Sequence, residues 1–179
     1  MLACRPMRRS PSSRIPELLR AAAAVRARAH APYSNFPVGA AVLAGGRVFA
    51  GCNVENSSFP LSVCAERNAI ASAVAAGEKR IEAVAIVGGK SRPSAPCGGC
   101  RQVIAEFSTE STPVVYASPD GKAIATTIGA LLPKAFSASD FTGQEGAGST
   151  RSRPGLRSRA APGTDRSAAR VRGTRSSGR

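Results

Sequence analysis

The segment order predicts a three-layer α/β/α fold on a five-stranded mixed sheet, with the last two strands antiparallel. Two observations carry this. Short apolar stretches at 38–43, 47–53, 82–87, 114–117 and 122–127 read as strands, with helical stretches before, between and after them. The connections then fix directions. Only Ser118-Pro119-Asp120-Gly121 separates the last two strands. That is a turn, whereas parallel neighbours need a crossover of roughly a dozen residues. The strands at 82–87 and 114–117 are joined through a helix, so that pair is expected to be parallel.

Local signals support each element. Pro16 suits the first turn of a helix over 17–28, rich in Ala, Leu and Arg. The prolines of Ala31-Pro32-Tyr33-Ser34-Asn35-Phe36-Pro37 make that segment a loop. Gly45-Gly46 is a tight turn between the first two strands, which form a hairpin. Residues 57–62 are irregular around Pro60, and a helix over 64–76 stops at Gly77, a suitable C-terminal cap. In the third strand the alternation sets Ile81, Ala83 and Ala85 on one side and Val84 and Ile86 on the other. A loop at 90–95 leads into a second helix over 97–107, and a short helix over 128–132 ends before Pro133. No internal repeat is visible.

Composition divides the chain unevenly. Residues 17–143 carry 12 Lys/Arg against 9 Asp/Glu, so the central region is nearly neutral. Residues 1–16 add four Arg and no acid, and residues 144–179 carry nine Arg against Glu145 and Asp165. The net charge of +14 therefore resides mostly in the ends and says little about the chemistry of the middle. We expect a disordered extension over 1–14, a folded domain over 15–143 and a disordered Arg/Ser/Gly-rich basic tail over 144–179. In that tail Leu156 and Val171 are the only larger aliphatics, too few to offset the entropy of ordering it. Its arginines suit an anionic partner such as nucleic acid, but its composition specifies none, and a dispensable extension is the reading adopted.

The five cysteines are an odd number and two form a C-x-x-C, which points to metal or redox chemistry in a reducing compartment. No apolar stretch approaches the ~20 residues of a membrane span, so no membrane partner is expected. Met1-Leu2-Ala3-Cys4 has the ending of a lipoprotein signal with no apolar region before it. A cytoplasmic location is the expectation.

The chemistry concentrates in Cys64-Ala65-Glu66 and Pro96-Cys97-Gly98-Gly99-Cys100. Three thiolates hold Zn²⁺ with one tetrahedral position open to water, the arrangement of catalytic sites, whereas structural sites use four protein ligands. Cys52, Cys4 and His30 are the available fourth ligands if the site were structural, and Cys52 is the serious rival. A redox pair would leave Cys64-Ala65-Glu66 unexplained. Three thiolates give the ion's shell a formal negative charge, and two features offset it. Cys64 and the Cys97/Cys100 pair fall at helix N-termini, where N–H groups favour anions. Arg67, and more weakly Arg101, are placed to donate to thiolate sulfur.

Taken together, five segments resemble the small homotetrameric zinc-dependent cytidine deaminases that act on free nucleosides. These are Ala31-Pro32-Tyr33-Ser34-Asn35-Phe36-Pro37-Val38-Gly39-Ala40-Ala41, Gly51-Cys52-Asn53-Val54-Glu55-Asn56, Cys64-Ala65-Glu66-Arg67, Pro96-Cys97-Gly98-Gly99-Cys100-Arg101-Gln102 and Leu131-Leu132-Pro133-Lys134-Ala135-Phe136-Ser137. The likeness runs over residues 15–141, about 70% of the chain. It implies hydrolytic deamination of cytidine and 2′-deoxycytidine to uridine and 2′-deoxyuridine with release of ammonia, a step of pyrimidine salvage. In that family Cys64, Cys97 and Cys100 would bind zinc, and Glu66 would protonate N3 and then the leaving amine. The Ala65 N–H would address the base O2, and the Ala95 carbonyl the exocyclic amine. Asn53 and Glu55 match the pair that hydrogen-bonds the ribose 3′-hydroxyl. Phe36 matches an aromatic packed on the base, and Phe136 one offered by a neighbouring subunit of the homotetramer.

Three other functions compete with this one: a related aminonucleoside deaminase of blasticidin type, a cytosine editor of nucleic acid, and a zinc-stabilised nucleic-acid-binding module. The last predicts a fourth protein ligand. An editor is disfavoured by the first ligand being Cys, by the terminal antiparallel strands, and by the lack of a basic, aromatic-rich surface in the central region.

Overall fold

Five strands order as β2-β1-β3-β4-β5 in the computed structural model, which describes residues 10–142. They are β1 (Gly39–Ala44), β2 (Arg47–Cys52), β3 (Ile81–Val87), β4 (Pro113–Ala117) and β5 (Ala123–Thr127). β3 and β4 run parallel; every other neighbouring pair is antiparallel. This is the mixed sheet expected from the connection lengths. The expected disorder of residues 1–9 and the whole basic tail over 144–179 lie outside the described residues.

Helix α1 (Ile15–Arg26) covers one face of the sheet. Leu18 and Ala22 pack there on Ala41, Leu43, Ala83 and Ala85. Helices α2 (Ala65–Ala75), α3 (Gly98–Glu106) and α4 (Ile128–Leu131) supply Ala69, Ile70, Ile104 and Ile128 to the core on the other face, around Ala40, Val42, Val84, Ile86 and Val114. Strand β1 is buried at every position, as a strand covered on both faces must be. Two glycines let the helices approach closely. A Cβ on Gly39 would stand 2.0 Å from the Ala22 carbonyl oxygen, and one on Gly51 would stand 2.5 Å from the Ala69 nitrogen. One glycine thus seats α1 and the other seats α2.

Gly45 and Gly46 both have positive φ (56° and 77°), the conformation a two-residue hairpin turn requires. That turn sets Gly39 opposite Cys52, and on its other side Gly39 pairs with Val87. The chain therefore enters β1 and leaves β2 and β3 at one edge of the sheet.

Three local features differ from the sequence reading. Ile81 does not share a face with Ala83 and Ala85. A β-bulge makes Ala44 pair with Ile81 directly after Leu43 pairs with Ala83, so Ile81 joins the core of Val84 and Ile86. Residues 10–14, within the segment expected to be disordered, form a 3₁₀ turn (Pro11–Arg14) before α1; Ser10 caps it, and the Arg14 Nη2 donates to Glu17 at 2.9 Å. A short helix α5 (Ala138–Thr142) follows Phe136, with the Asp140 carboxylate accepting from the Ser137 N–H at 2.6 Å.

Candidate active site

Two helices begin on cysteines at the sheet edge just described. Cys64 is the N-cap of α2 and Cys97 the N-cap of α3, both in extended backbone conformation, and Cys100 follows in the first turn of α3, fully buried. Neither N-cap side chain caps the backbone N–H groups of its own helix, so both thiols are left for another partner. The three sulfurs lie within 4.8 Å of one another, and Cys64 Sγ is 4.0 Å from Cys97 Sγ. Two zinc–sulfur bonds of about 2.3 Å at a tetrahedral angle hold sulfurs about 3.8 Å apart. The donor set therefore fits zinc in kind and in spacing. The separation is far beyond a disulfide, and all three are free thiols.

Among the described residues no fourth ligand joins this group. Cys52 ends β2, and its carbonyl accepts from Asn68 Nδ2 at 2.8 Å, but its thiol lies outside the cluster. The His30 backbone pairs with Val54, and its imidazole is not among the clustered ligand atoms. Cys4 lies outside the described residues.

The electrostatics separate the thiols. Donation from the Cys100 thiol, with help from Arg67, draws Cys64 down to about 5. Cys100 is pushed up by that same donation and by its burial. Arg67 Nη2 stands 3.6 Å from Cys64 Sγ and also donates to the Ser62 carbonyl at 3.2 Å. Arg67 therefore stands within donating reach of one of the three sulfurs. Arg101 differs from expectation: its guanidinium donates to the carbonyls of Pro96 and Leu131 at 2.9 and 3.0 Å, bracing the start of α3 against the end of α4.

Glu66, in the first turn of α2, is 5% exposed and lies beside the three thiols without being one of their group. Burial raises its carboxyl above the usual range, and the nearby Cys64 thiolate adds to the rise. A buried carboxyl poised towards neutrality beside a metal site is suited to carrying protons.

Asn53, Glu55 and Phe36 cluster around the loop that precedes β1. Asn53 Oδ1 accepts from the Val38 N–H at 2.8 Å, and its Nδ2 donates to the Phe36 carbonyl at 3.1 Å. Glu55 accepts from the N–H groups of Tyr33 and Ser34 at 3.0 and 3.2 Å and from the Ser34 hydroxyl. The Ser34 hydroxyl lowers the Glu55 pKa first, and those two N–H groups lower it further. Thus Asn53 and Glu55 grip the turn that carries Phe36, whose ring is partly exposed. Ala65 is buried at the start of α2, and Ala95 is exposed beside the buried Pro96. Phe136 is 57% exposed; its carbonyl accepts from Gln102 Nε2 of α3 at 2.7 Å and its ring meets Phe141 edge-on. Its side chain is not brought to the thiols by any described contact.

Sequence reasoning missed Asn68, Gln102 and Ser34. Asn68 ties α2 to the end of β2 and Gln102 ties α3 to the Phe136 segment. Each acts through a contact distant in sequence, for which no local signal exists.

The sequence model of the family described as "Cytidine and deoxycytidylate deaminase zinc-binding region" matches residues 12–117, a span that contains the three thiols and Glu66. A cytidine deaminase of Sporosarcina psychrophila is 48% identical over 118 residues, covering 65% of this chain and 87% of the relative. One of Halalkalibacterium halodurans is 43% identical over 125 residues, covering 69% and 95% respectively. Among solved structures, cytidine deaminase from Burkholderia pseudomallei superposes with a TM-score of 0.65 at 49% identity, covering 68% of this chain and 98% of that one. The enzyme from Mycobacterium leprae gives 0.58 at 41% identity, covering 66% and 97%.

Proposed function

From the premise that this chain belongs to the cytidine and deoxycytidylate deaminase family, we infer that it deaminates cytidine and 2′-deoxycytidine by zinc-dependent hydrolysis, giving uridine or 2′-deoxyuridine and ammonia. The observation that carries the reading is the three-thiol group at two helix N-termini with the buried Glu66 beside it. Cys64, Cys97 and Cys100 would hold the zinc, which when bound supplies the Lewis acidity that makes water nucleophilic near neutral pH.

The chain's own residues supply the rest. As water adds to C4 of the pyrimidine, Glu66 takes a proton from it and delivers it to N3; it then takes the remaining proton of the new C4 hydroxyl and gives it to the amine, which leaves as ammonia as the C4 carbonyl forms. Arg67 offsets the negative charge of the thiolates through its contact with Cys64. In this reading the Ala65 N–H binds the base O2 and the Ala95 carbonyl accepts from the exocyclic amine. Hydrogen-bonding capacity supports the ribose contacts. Glu55 has about four acceptor sites, and three donors occupy three of them, with a single donor on Oε1. Asn53 Nδ2 has a second hydrogen beyond the one given to Phe36. A ribose 3′-hydroxyl can donate to the first and accept from the second. Phe36 packs on the base.

The protein is placed by this reading in the cytoplasm, in pyrimidine salvage, as a homotetramer. No helix among the described residues is long and apolar enough to cross a membrane, and the described cysteines are free, as a reducing compartment favours. The exposed Phe136 supports its delivery to a neighbouring protomer's substrate. Mixing Glu66→Gln protomers with Phe136→Ala protomers should then restore activity that neither has alone; no restoration would refute the shared site. A blasticidin-type aminonucleoside deaminase and a zinc-stabilised nucleic-acid-binding module are not favoured.

The direct test is loss of cytidine absorbance with zinc-loaded protein, abolished by a chelator and restored by zinc. A zinc-loaded, folded protein that leaves cytidine unchanged would overturn the function.

A further inference from the structure

Ser34 makes a set of contacts that the deamination chemistry leaves unexplained. It is exposed, so packing does not account for it. Its hydroxyl donates to Glu55 Oε1, the same oxygen accepts from the Phe36 N–H at 3.1 Å, and its backbone N–H donates to Glu55 Oε2 at 3.2 Å. A single side chain thus links the carboxylate read as a ribose contact to the turn carrying the aromatic read as a base contact.

We propose that Ser34 is a positioning residue for the ribose: its hydroxyl orients the Glu55 carboxylate so that the enzyme favours nucleosides bearing a 3′-hydroxyl. The inference rests on the reading of Asn53 and Glu55 as the ribose contacts. Its logic is geometric. The two backbone donors, from Tyr33 and Ser34, both fall on Oε2. They hold that oxygen, and the tilt of the carboxylate plane is then set by what holds Oε1. The Ser34 hydroxyl is the contact that holds Oε1, and so sets the direction of its remaining lone pair. Asn53 is anchored to the same turn from the other side, through Phe36 and Val38. Among the described residues the second Asn53 N–H and the remaining Glu55 lone pair have no other partner, and Ser34 closes the ring of contacts that sets their relation. A hydroxyl that accepts from one group while donating to another is also polarised by the first bond, which strengthens the second.

Ser34 is exposed and fills no core position, so the fold should survive loss of its hydroxyl. What should change is recognition. An oriented hydrogen bond to a charged group is worth about a tenfold factor or somewhat more in binding. Removing Ser34's hydroxyl should therefore reduce the advantage of the substrate 3′-hydroxyl by about tenfold.

The test compares 2′-deoxycytidine with 2′,3′-dideoxycytidine, which differ only in that hydroxyl, in the zinc-loaded protein and its Ser34→Thr and Ser34→Val variants. Thr and Val have nearly the same bulk, so any distortion is shared, and only Thr keeps the hydroxyl. The ratio of kcat/KM for the two substrates should be similar in wild type and Ser34→Thr and about tenfold smaller in Ser34→Val, with the dideoxy substrate handled alike by both variants. If bulk alone disables both, Ser34→Ala against wild type gives the same comparison. Glu55→Gln separates the two layers of the argument. If Glu55→Gln shrinks the ratio but the loss of the Ser34 hydroxyl does not, the ribose reading stands and the role of Ser34 is overturned. If wild type itself gains nothing from the 3′-hydroxyl, the ribose reading fails and the proposal falls with it.

Discussion

Replacing Glu66 by Gln isolates proton transfer from everything else that side chain does. Glu66 is 5% exposed in the first turn of α2, and Gln has nearly its shape, so packing should be preserved. Burial raises the pKa of the carboxyl, so the charged form is costly at this position and the uncharged amide adds no such cost. Stability should therefore change little. What disappears is the capacity to carry a proton to N3 and then to the departing amine. A single general acid–base step contributes about 10²–10⁴ in rate. Because one group serves both transfers, the two losses act as a unit and do not multiply. The upper end of the range applies, about 10⁴ in kcat, or roughly 5.4 kcal/mol at 1.36 kcal/mol per tenfold. KM should move by no more than about threefold, since the ribose and base contacts are untouched. The assay is cytidine absorbance under saturating substrate, together with zinc stoichiometry by elemental analysis. A fall of less than about tenfold with full zinc content would remove Glu66 from the proton pathway. Loss of zinc in the variant would make it a metal ligand instead.

Three further outcomes are expected. Arg67→Ala removes the donor 3.6 Å from Cys64 Sγ and should lower kcat about ten- to a hundredfold with zinc still bound, and Arg67→Lys should not fully rescue it; undiminished turnover in the alanine variant would show the contact to be idle. Gly51→Ala places a methyl 2.5 Å from the Ala69 nitrogen and 2.9 Å from the Ala65 carbonyl oxygen, so α2 must move; a loss of about 1–3 kcal/mol, visible as a lower Tm, should come with reduced zinc content, and an unchanged melt would mean that the seating of α2 is loose. Glu55 has its folded-state pKa depressed, first by the Ser34 hydroxyl, so its contribution to stability is complete above the unfolded carboxyl range and is lost as pH falls through the lower folded value. The Tm gap between wild type and Glu55→Gln should therefore be present at neutral pH and close on acidification, and a gap that widened in acid would reverse the assigned sign.

Much of the site was legible in the sequence because its chemistry is carried by residues close together in the chain. Cys64 and Glu66 share one helix start, Cys97 and Cys100 another, and Arg67 reaches back only three residues to its thiolate. Strand directions were legible for a related reason, since a four-residue turn and a helical crossover each permit one direction. The illegible parts all depend on partners far away in the chain. Ile81 obeys strand alternation until β1 imposes a bulge beside it, and Arg101 passes over the nearby thiolates for the Leu131 carbonyl, 30 residues on. Exposure likewise belongs to the folded surface, so Phe136 could be matched to a family aromatic but not located.

The hairpin turn at Gly45-Gly46 joins the local and the distant. By setting Cys52 opposite Gly39, it brings the end of β2 beside the start of β1, while the second pairing of Gly39 brings the end of β3 to the same edge. Phe36 stands three residues before that edge, Asn53 immediately after it, and the segment leading to Cys97 begins there. Lengthening the hairpin turn would leave every motif intact in sequence, yet it would shift Asn53 relative to the Phe36 turn. A register slip of one residue would turn the Asn53 and Glu55 side chains to the opposite face. The ribose contacts proposed for Asn53 and Glu55 would thus depend on a turn with no chemistry of its own, and the thiol pair at Cys97 and Cys100, which follows β3, does not.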